Sequence, residues 1–482
     1  MLIVEKVEML FNSISFIVFF TVVLTLYYFL PKRYTWIMLL IASLFFYMCW
    51  RWQYIFLLFF PATIDFFVAR RLEDVFIERK RKMLLLLSIV TNLGLLFYFK
   101  YFNFFIESVN SASALMNIPF FLNAAKILLP VGISFYTFQS IAYTVEVYRR
   151  TIKAERNFAR FALFVSYFPQ LVAGPINRPQ VLLPQLRNLQ PLSSKNFIKG
   201  GRLILWGLFK KIVVADRLAF FVNIVYNSPE SYHGMATIIA TIFFAFQIYC
   251  DFSGYSDIAI GVAKTMGVDL MKNFNKPYYS HSVREFWSKW HISLSTWFRD
   301  YLYIPLGGNK VPVGKWIFNL FITFLVSGIW HGASFNFIIW GTIHGVLIVV
   351  ESLNSKYKFF NVKLPRFISL IWTFTIVSFA WIFFRANTVQ DSFTIIRNLF
   401  DFSHPFLGEI RQMTGADMYN LAVGIPLIFL LIAFERGWEL DITKTYFRKY
   451  ALVRFSCYIS LIILIALFGV FVSQSSFIYF QF

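Results

Sequence analysis

From Trp316 to Val350 the chain runs through 35 residues without a formal charge, and two histidines, His331 and His344, sit inside that run. About 18 consecutive apolar residues already mark a segment that can cross a bilayer. Further apolar runs fall near 10–30, 35–50, 53–69, 83–106, 127–148, 203–227, 235–262, 367–384, 419–434 and 455–474, and the uncharged run divides into 316–335 and 336–350. Of the 482 residues, 58% are hydrophobic and 14% charged, against roughly a quarter charged in a soluble domain. The expected fold class is an all-α polytopic integral membrane protein of 10–12 membrane segments, formed as a single domain over 1–482. The shorter segments would tilt, re-enter or lie in the interface.

The net charge is +21. Its basic residues are scattered through loops between apolar spans rather than gathered on one face, which argues against nucleic acid as a partner and for anionic membrane lipid. If 70–82 faces the cytoplasm and sides alternate from there, 37 of the 45 Lys and Arg fall inside, six outside and two within spans. That asymmetry places both termini outside and 161–211 and 264–315 inside. The N-terminus is acidic where a signal peptide would be basic, so its first apolar run reads as a retained helix. Cys49, Cys250 and Cys457 form no CxxC pair and give no disulfide framework.

Two segments depart from simple spans. YFPQLVAGPINRP (167–179) is apolar but carries Pro169, Gly174, Pro175 and Pro179, so its freed backbone groups need protein or a wet cavity around them. It reads as a re-entrant buried loop, with an amphipathic surface loop as the alternative. In 283–310, Trp287, Trp290, Trp297 and Tyr301 interleave with Arg284, Lys289, Arg299 and Asp300, the pattern of an interfacial helix at headgroup level. His291 lies among them. The outer segment 385–418 mixes three basic and four acidic residues and reads as a short cap.

There are six histidines: His233, His281, His291, His331, His344 and His404. None is spaced as in HExxH, and on one helix His331 and His344 would be about 20 Å apart, so no metal centre is expected. GxxxxGK[ST], GxGxxG and GxSxG are all absent, which removes nucleotide hydrolysis, a dinucleotide cofactor and a serine-hydrolase elbow. What remains is a histidine in the membrane, acting alone or with one polar helper. Desolvation keeps such a ring neutral and able to accept a proton. A histidine bonded only to a neighbouring carbonyl stands as an equal alternative for His331.

The blocks ILLPVGISFYTFQSIAYTVEVYR (127–149), YFPQLVAGPINR (167–178), FQIYCDFSGYSDIAIG (246–261), FWSKWHISLSTWFRDYLYIPLGG (286–308), SGIWHGAS (327–334), WIFFRA (381–386) and the terminal FIYFQF, with MLFNSISFIVFF before them, come in a characteristic order. Together they resemble the membrane-bound O-acyltransferases, in particular the bacterial branch that serves O-acetylation of alginate, cellulose or peptidoglycan. The resemblance implies a ring of helices around a thinned centre with a through tunnel. It implies a catalytic His331 in the WHG motif and His291 as the second active-site position. Trp287, Trp290, Ser295, Arg299, Asp300, Trp330, Asn336, Asp251 and Tyr255 are the accompanying tunnel or substrate-lining candidates.

The implied activity moves an acetyl group from a cytoplasmic thioester, acetyl-CoA or an acyl carrier, to a hydroxyl acceptor outside. No tightly bound cofactor is implied. An extracytoplasmic acetyltransferase partner and polysaccharide machinery are, in a bacterial inner membrane. His344 matches no catalytic position and is expected to pack or hydrogen-bond. The competing readings are D-alanyl transfer to teichoic acid, a transporter of an acyl or glycan intermediate, and a non-catalytic scaffold. A transporter would carry paired broken helices in an inverted repeat, and no repeat stands out.

Overall fold

The computed structural model describes residues 9–359, 364–411, 413–439, 449–471 and 477–478, the side chains of 437–439 excepted. Among these residues the regular structure is entirely helical. The first eight residues and the last four, which bear on the siting of the termini and on the FIYFQF block, lie outside the described set.

Among the described residues, seven helices are long and apolar enough to cross a membrane: Glu78–Leu115, Gly234–Thr265, Val313–His331, Phe335–Tyr357, Arg366–Arg385, Gly415–Arg436 and Ala451–Phe468. Ile14–Phe29 is a shorter apolar helix. At 1.5 Å per residue, the 19-residue Val313–His331 helix reaches roughly 28 Å, close to the ~30 Å of a hydrocarbon core. Ala451–Phe468 has no buried residue. An apolar helix with no buried residue suits lipid as its solvent, because water would reject so large an apolar surface.

The chain divides into two compact units, 1–204 with 259–272, and 205–258 with 273–482. In the first, the proline-rich segment is buried without interruption from Phe161 to Asn177, as a buried loop requires and a surface loop does not. Several of its polar groups are satisfied from within the unit. Gln139 and Gln170 both donate to the carbonyl of Phe164, at 2.6 and 2.8 Å. Asn177 donates to Gln170 at 3.1 Å and accepts from the Met271 N–H at 2.9 Å. Gly132, at φ +78°, lies where a Cβ would come within 2.6 Å of the Leu171 carbonyl oxygen; only glycine admits both that backbone and that approach.

The second unit holds both motif histidines. Two sequence expectations change here. The aromatic segment 283–310 is not one interfacial helix: it breaks into Val283–Lys289 and Ile292–Phe298, followed by a five-residue π-helical turn, Arg299–Tyr303. Its tryptophans do not sit at a headgroup surface, since Trp287, Trp290 and Trp297 are 6%, 0% and 7% exposed. They pack on other rings, a use of aromatic area that composition does not separate from interfacial anchoring.

Lys210 and Lys211, counted by sequence with the inner loop charges, are buried instead on the π-helical segment Phe209–Ala215. Lys210 pairs with Asp257 at 2.6 Å. Lys211 pairs with Asp216 at 2.7 Å and Asp251 at 2.6 Å.

Candidate active site

His331 closes the Val313–His331 helix, and Gly332 turns the chain into Phe335–Tyr357. Two close approaches fix that corner. A Cβ on Gly328 would fall 2.4 Å from the Phe337 carbonyl oxygen and 2.9 Å from Gly341 Cα, so the two helices touch backbone to backbone. A Cβ on Gly332 would fall 2.0 Å from the Phe337 ring. The glycine of WHG therefore makes room for Phe337, which packs edge-on against Phe384 at 5.0 Å. His331 is 2% exposed and meets Trp330, Trp340 and Phe384 at ring-centroid distances of 5.0, 4.9 and 5.4 Å.

His291 sits at the break between the two short helices, with φ +42° and ψ +53°. A left-handed conformation at a bulky residue costs free energy and is held only where the surroundings over-determine it. They do so here. Asn275 N–H bonds to the Lys289 carbonyl and Ile292 N–H to the Asn273 carbonyl, both at 2.9 Å. Asn273 Oδ1 accepts from Ser293 Oγ at 2.9 Å and lies 3.0 Å from His291 Nδ1, while its Nδ2 donates to Ser256 Oγ at 3.0 Å. An acceptor at Nδ1 places the ring proton there and makes Nε2 the basic nitrogen. His291 is fully buried, and burial pushes its pKa down to about 3, so the ring is neutral at physiological pH. Trp330 stands against both histidines, 6.2 Å from the His291 ring.

His344 accepts a hydrogen bond at Nδ1 from Trp287 Nε1 at 3.2 Å and packs on Trp340 at 4.8 Å. That is the packing and hydrogen-bonding role its sequence position suggested.

A cavity of about 690 Å³ lies beside this aromatic core, lined by Arg284, Trp287, Ser295, Arg299, Ser327 and Lys356 among others. Neither His291 nor His331 lines it. Trp287 forms its wall and packs on Trp340 at 5.6 Å, the ring that in turn meets His331.

Of the lining candidates, Trp287, Ser295 and Arg299 line the cavity, and Asp300 pairs with Arg299 at 2.7 Å. Trp290 is packed against Trp381 at 5.0 Å. Asn336 is occupied elsewhere, donating to the Ala386 carbonyl at 2.8 Å. Asp251 neutralises Lys211 and accepts from the Ile478 N–H at 2.8 Å. Tyr255 packs on Phe477 at 4.7 Å. These last two contact Ile478 and Phe477.

Sequence reasoning missed Asn273, Ser256 and Trp340. Trp340 lies nine residues after His331 but on the next helix, beyond the Gly332 corner, so helix periodicity alone does not bring the two together. Nothing local marks Asn273.

Residues 149–389 match the model of the membrane-bound O-acyltransferase family. A probable alginate O-acetylase of Pseudomonas aeruginosa is 39% identical over 435 residues, 88% of this chain and 81% of that protein. The chain belongs to the membrane-bound O-acyltransferase family. A peptidoglycan O-acetyltransferase of Helicobacter pylori is 34% identical over 81% of this chain and 80% of its own. A teichoic acid D-alanyltransferase of Bacillus subtilis is more distant, 28% identical over 53% of this chain and 69% of its own. As a member of the family the protein is a multi-pass integral membrane O-acyltransferase. The family match takes in Asn273, His291, His331 and Trp381 but ends before His404.

Proposed function

We propose that this chain acetylates a hydroxyl acceptor for an extracytoplasmic polysaccharide, using acetyl-CoA from the cytoplasm, with His331 as general base. The observation that carries the reading is the pair of buried imidazoles joined through Trp330, with Trp340 and Trp287 between His331 and a cavity lined by cations. Arg284, Arg299 and Lys356 offer charge to the donor's phosphates, and the cavity's aromatic side suits the thioester arm. The names of the alginate and peptidoglycan relatives support an acetyl group and a glycan pathway.

In the proposed step His331 takes the proton of the acceptor hydroxyl as its oxygen bonds to the thioester carbonyl carbon. The tetrahedral intermediate collapses with cleavage of the C–S bond. The imidazolium returns the proton to the departing sulfur, giving free coenzyme A and an acetyl ester. His291 positions or polarises the donor through Nε2, its ring fixed by Asn273. A partner acetyltransferase outside the membrane finishes the transfer to the glycan, in a bacterial inner membrane with both termini outside. Purified protein in nanodiscs should release coenzyme A from labelled acetyl-CoA when an acceptor is supplied, and His331→Ala should abolish that release while donor binding persists. Wild-type release from the variant would remove His331 from the chemistry, and transport of label without thiol release would replace the enzyme reading by a transporter.

A further inference from the structure

A second cluster of chemistry-bearing side chains lies in the same unit, and the acyl transfer proposed above does not use it. His233 immediately precedes the Gly234–Thr265 helix, His404 lies just before the short helix Phe406–Ile410, and Glu409 lies inside it. The charge bias assigns both segments to the exterior. Several ties draw 399–405 onto the 228–234 corner. Asn398 Nδ2 donates to the carbonyls of Pro229 at 2.8 Å and Tyr232 at 3.2 Å, and Arg397 pairs with Glu230 at 3.2 Å. Gly234, at φ +45°, has no space for a side chain: a Cβ would fall 2.8 Å from the Asp401 carbonyl oxygen and 2.9 Å from the Phe402 ring.

The result is a fixed corner. The His233 and His404 rings stack at 4.1 Å and 19°. Glu409 Oε1 lies 3.0 Å from His233 Nδ1 and also accepts the His233 backbone N–H at 3.0 Å. One nitrogen from each ring and a carboxylate oxygen stand within 4.8 Å of one another.

We infer that His233, His404 and Glu409 bind a zinc-like divalent cation, leaving its fourth position open. Three features beyond proximity point to an ion. Glu409 is 7% exposed, yet its Oε2 has no hydrogen-bond partner among the described residues; an orphaned buried carboxylate oxygen calls for a positive partner. The tautomer of His404 is set for ligation. Ser403 Oγ gives its proton to Asp401 Oδ1 at 2.5 Å and lies 3.0 Å from His404 Nδ1, so Nδ1 carries the ring proton and Nε2 the lone pair. That is the outer support by which a carboxylate or hydroxyl orients a ligating imidazole. Finally, ligand atoms ~2.0–2.2 Å from a tetrahedral ion stand roughly 3.3–3.5 Å apart, near the 3.0 Å of the His233–Glu409 pair. Two imidazoles and one carboxylate suit zinc better than calcium or magnesium, which take oxygen ligands. His404 is exposed, which gives the ion an entry path and lets its ring turn out of the stack on His233, as it must, because lone pairs in two nearly parallel ring planes cannot meet one ion.

This revises the expectation from spacing, since the two histidines stand 171 residues apart and no local motif joins them. The test uses the full chain, free of any histidine tag, purified and exchanged into zinc-containing and then zinc-free buffer. Elemental analysis should find one zinc per chain. His404→Ala, at an exposed position that leaves the core unopened, and Glu409→Gln should each lower retained zinc at least tenfold, whereas His331→Ala should keep it. Cobalt(II) added to the metal-free protein should give the intense visible bands of a four-coordinate ion, absent in His404→Ala. Wild-type protein that retains no zinc would overturn the inference in favour of a proton-bridged His–Glu pair. So would full retention by His404→Ala, or loss of zinc in His331→Ala, which would place the ion in the aromatic core.

Discussion

The second unit builds two histidine sites with the same side chain and opposite surroundings. His331 and His291 are walled by tryptophan and phenylalanine, 2% and 0% exposed, with an amide oxygen at His291 Nδ1. His233 and His404 are stacked near the surface beside Glu409, with Asp401 behind Ser403. An apolar wall makes the neutral ring a proton acceptor. A carboxylate beside a ring instead offers a cation a second ligand. The imidazole has no fixed role of its own; burial and the nearest oxygen decide which chemistry it performs.

The largest effect that would break this comparison is at His331. His331→Ala should lower acetyl transfer by ~10²–10⁴-fold, the range of a general acid–base contribution, while metal content stays at one ion per chain. A parallel loss of both would merge the two sites into one. Gly332→Ala tests the corner that holds the base. Its Cβ would collide with the Phe337 ring at 2.0 Å, and overpacking of this kind costs about 1–3 kcal/mol. A thermal-shift measurement should show lowered stability with turnover reduced beside it. An unchanged melting temperature would mean that Phe337 moves aside freely and does not hold the His331 turn.

The two sites also differ in how far they could be read from the sequence. The apolar runs near 235–262, 316–335 and 367–384 became helices within a few residues of their expected ends, and the run at 336–350 opens a helix that continues to Tyr357, because an uncharged run in lipid has little alternative to helix. WHG marked His331 through a local pattern, and Gly332 and Phe337 show why that pattern holds together. The break at His291 was invisible, since FWSKWHISLSTWF contains neither the proline nor the glycine that would mark one. Tertiary bonds from 273–275 override its propensity. Asn273 is a lone amide eighteen residues away, and His404 lies 171 residues from His233, so only the fold brings these partners together. The buried tryptophans of 283–310 were misread as interfacial for a related reason: composition reports that a ring is present, and packing alone says what it faces.

Asn273 gives a smaller and more selective test. Asn273→Ala leaves the His291 Nδ1–H without its acceptor, a loss of about 1–3 kcal/mol for a buried group, and frees the ring to adopt the wrong tautomer. Turnover should fall ~10–100-fold with donor affinity nearly unchanged. Equal loss in donor affinity would show that the amide shapes the binding cavity and does not orient the ring. His291 also supplies an acid limb to stability. Its pKa is about 3 in the folded protein against 6.5 for the free ring, so the unfolded chain binds the extra proton first. Its contribution is complete above pH 6.5 and falls away as pH drops toward 3. Melting curves between these limits should show a shallower acid slope for His291→Gln than for the wild type. Identical slopes would locate the acid sensitivity in other groups.

The smallest expected effect concerns the rim of the cavity. Lys356 lines the cavity and its ammonium lies 5.2 Å over the Trp316 ring, so it contributes charge without belonging to the buried core. An exposed ion contact is worth ~0.2–1 kcal/mol, and Lys356→Gln should therefore raise the KM for acetyl-CoA by about two- to fivefold with kcat unchanged. The difference should vanish as ionic strength rises, because screening removes a surface attraction while leaving the cavity's shape intact. A salt-independent increase would mean that the lysine stem packs the wall and that its charge does not attract the donor. A fall in kcat would tie this rim to the aromatic core and the His331 base, and the cavity could then no longer be treated as a separate antechamber.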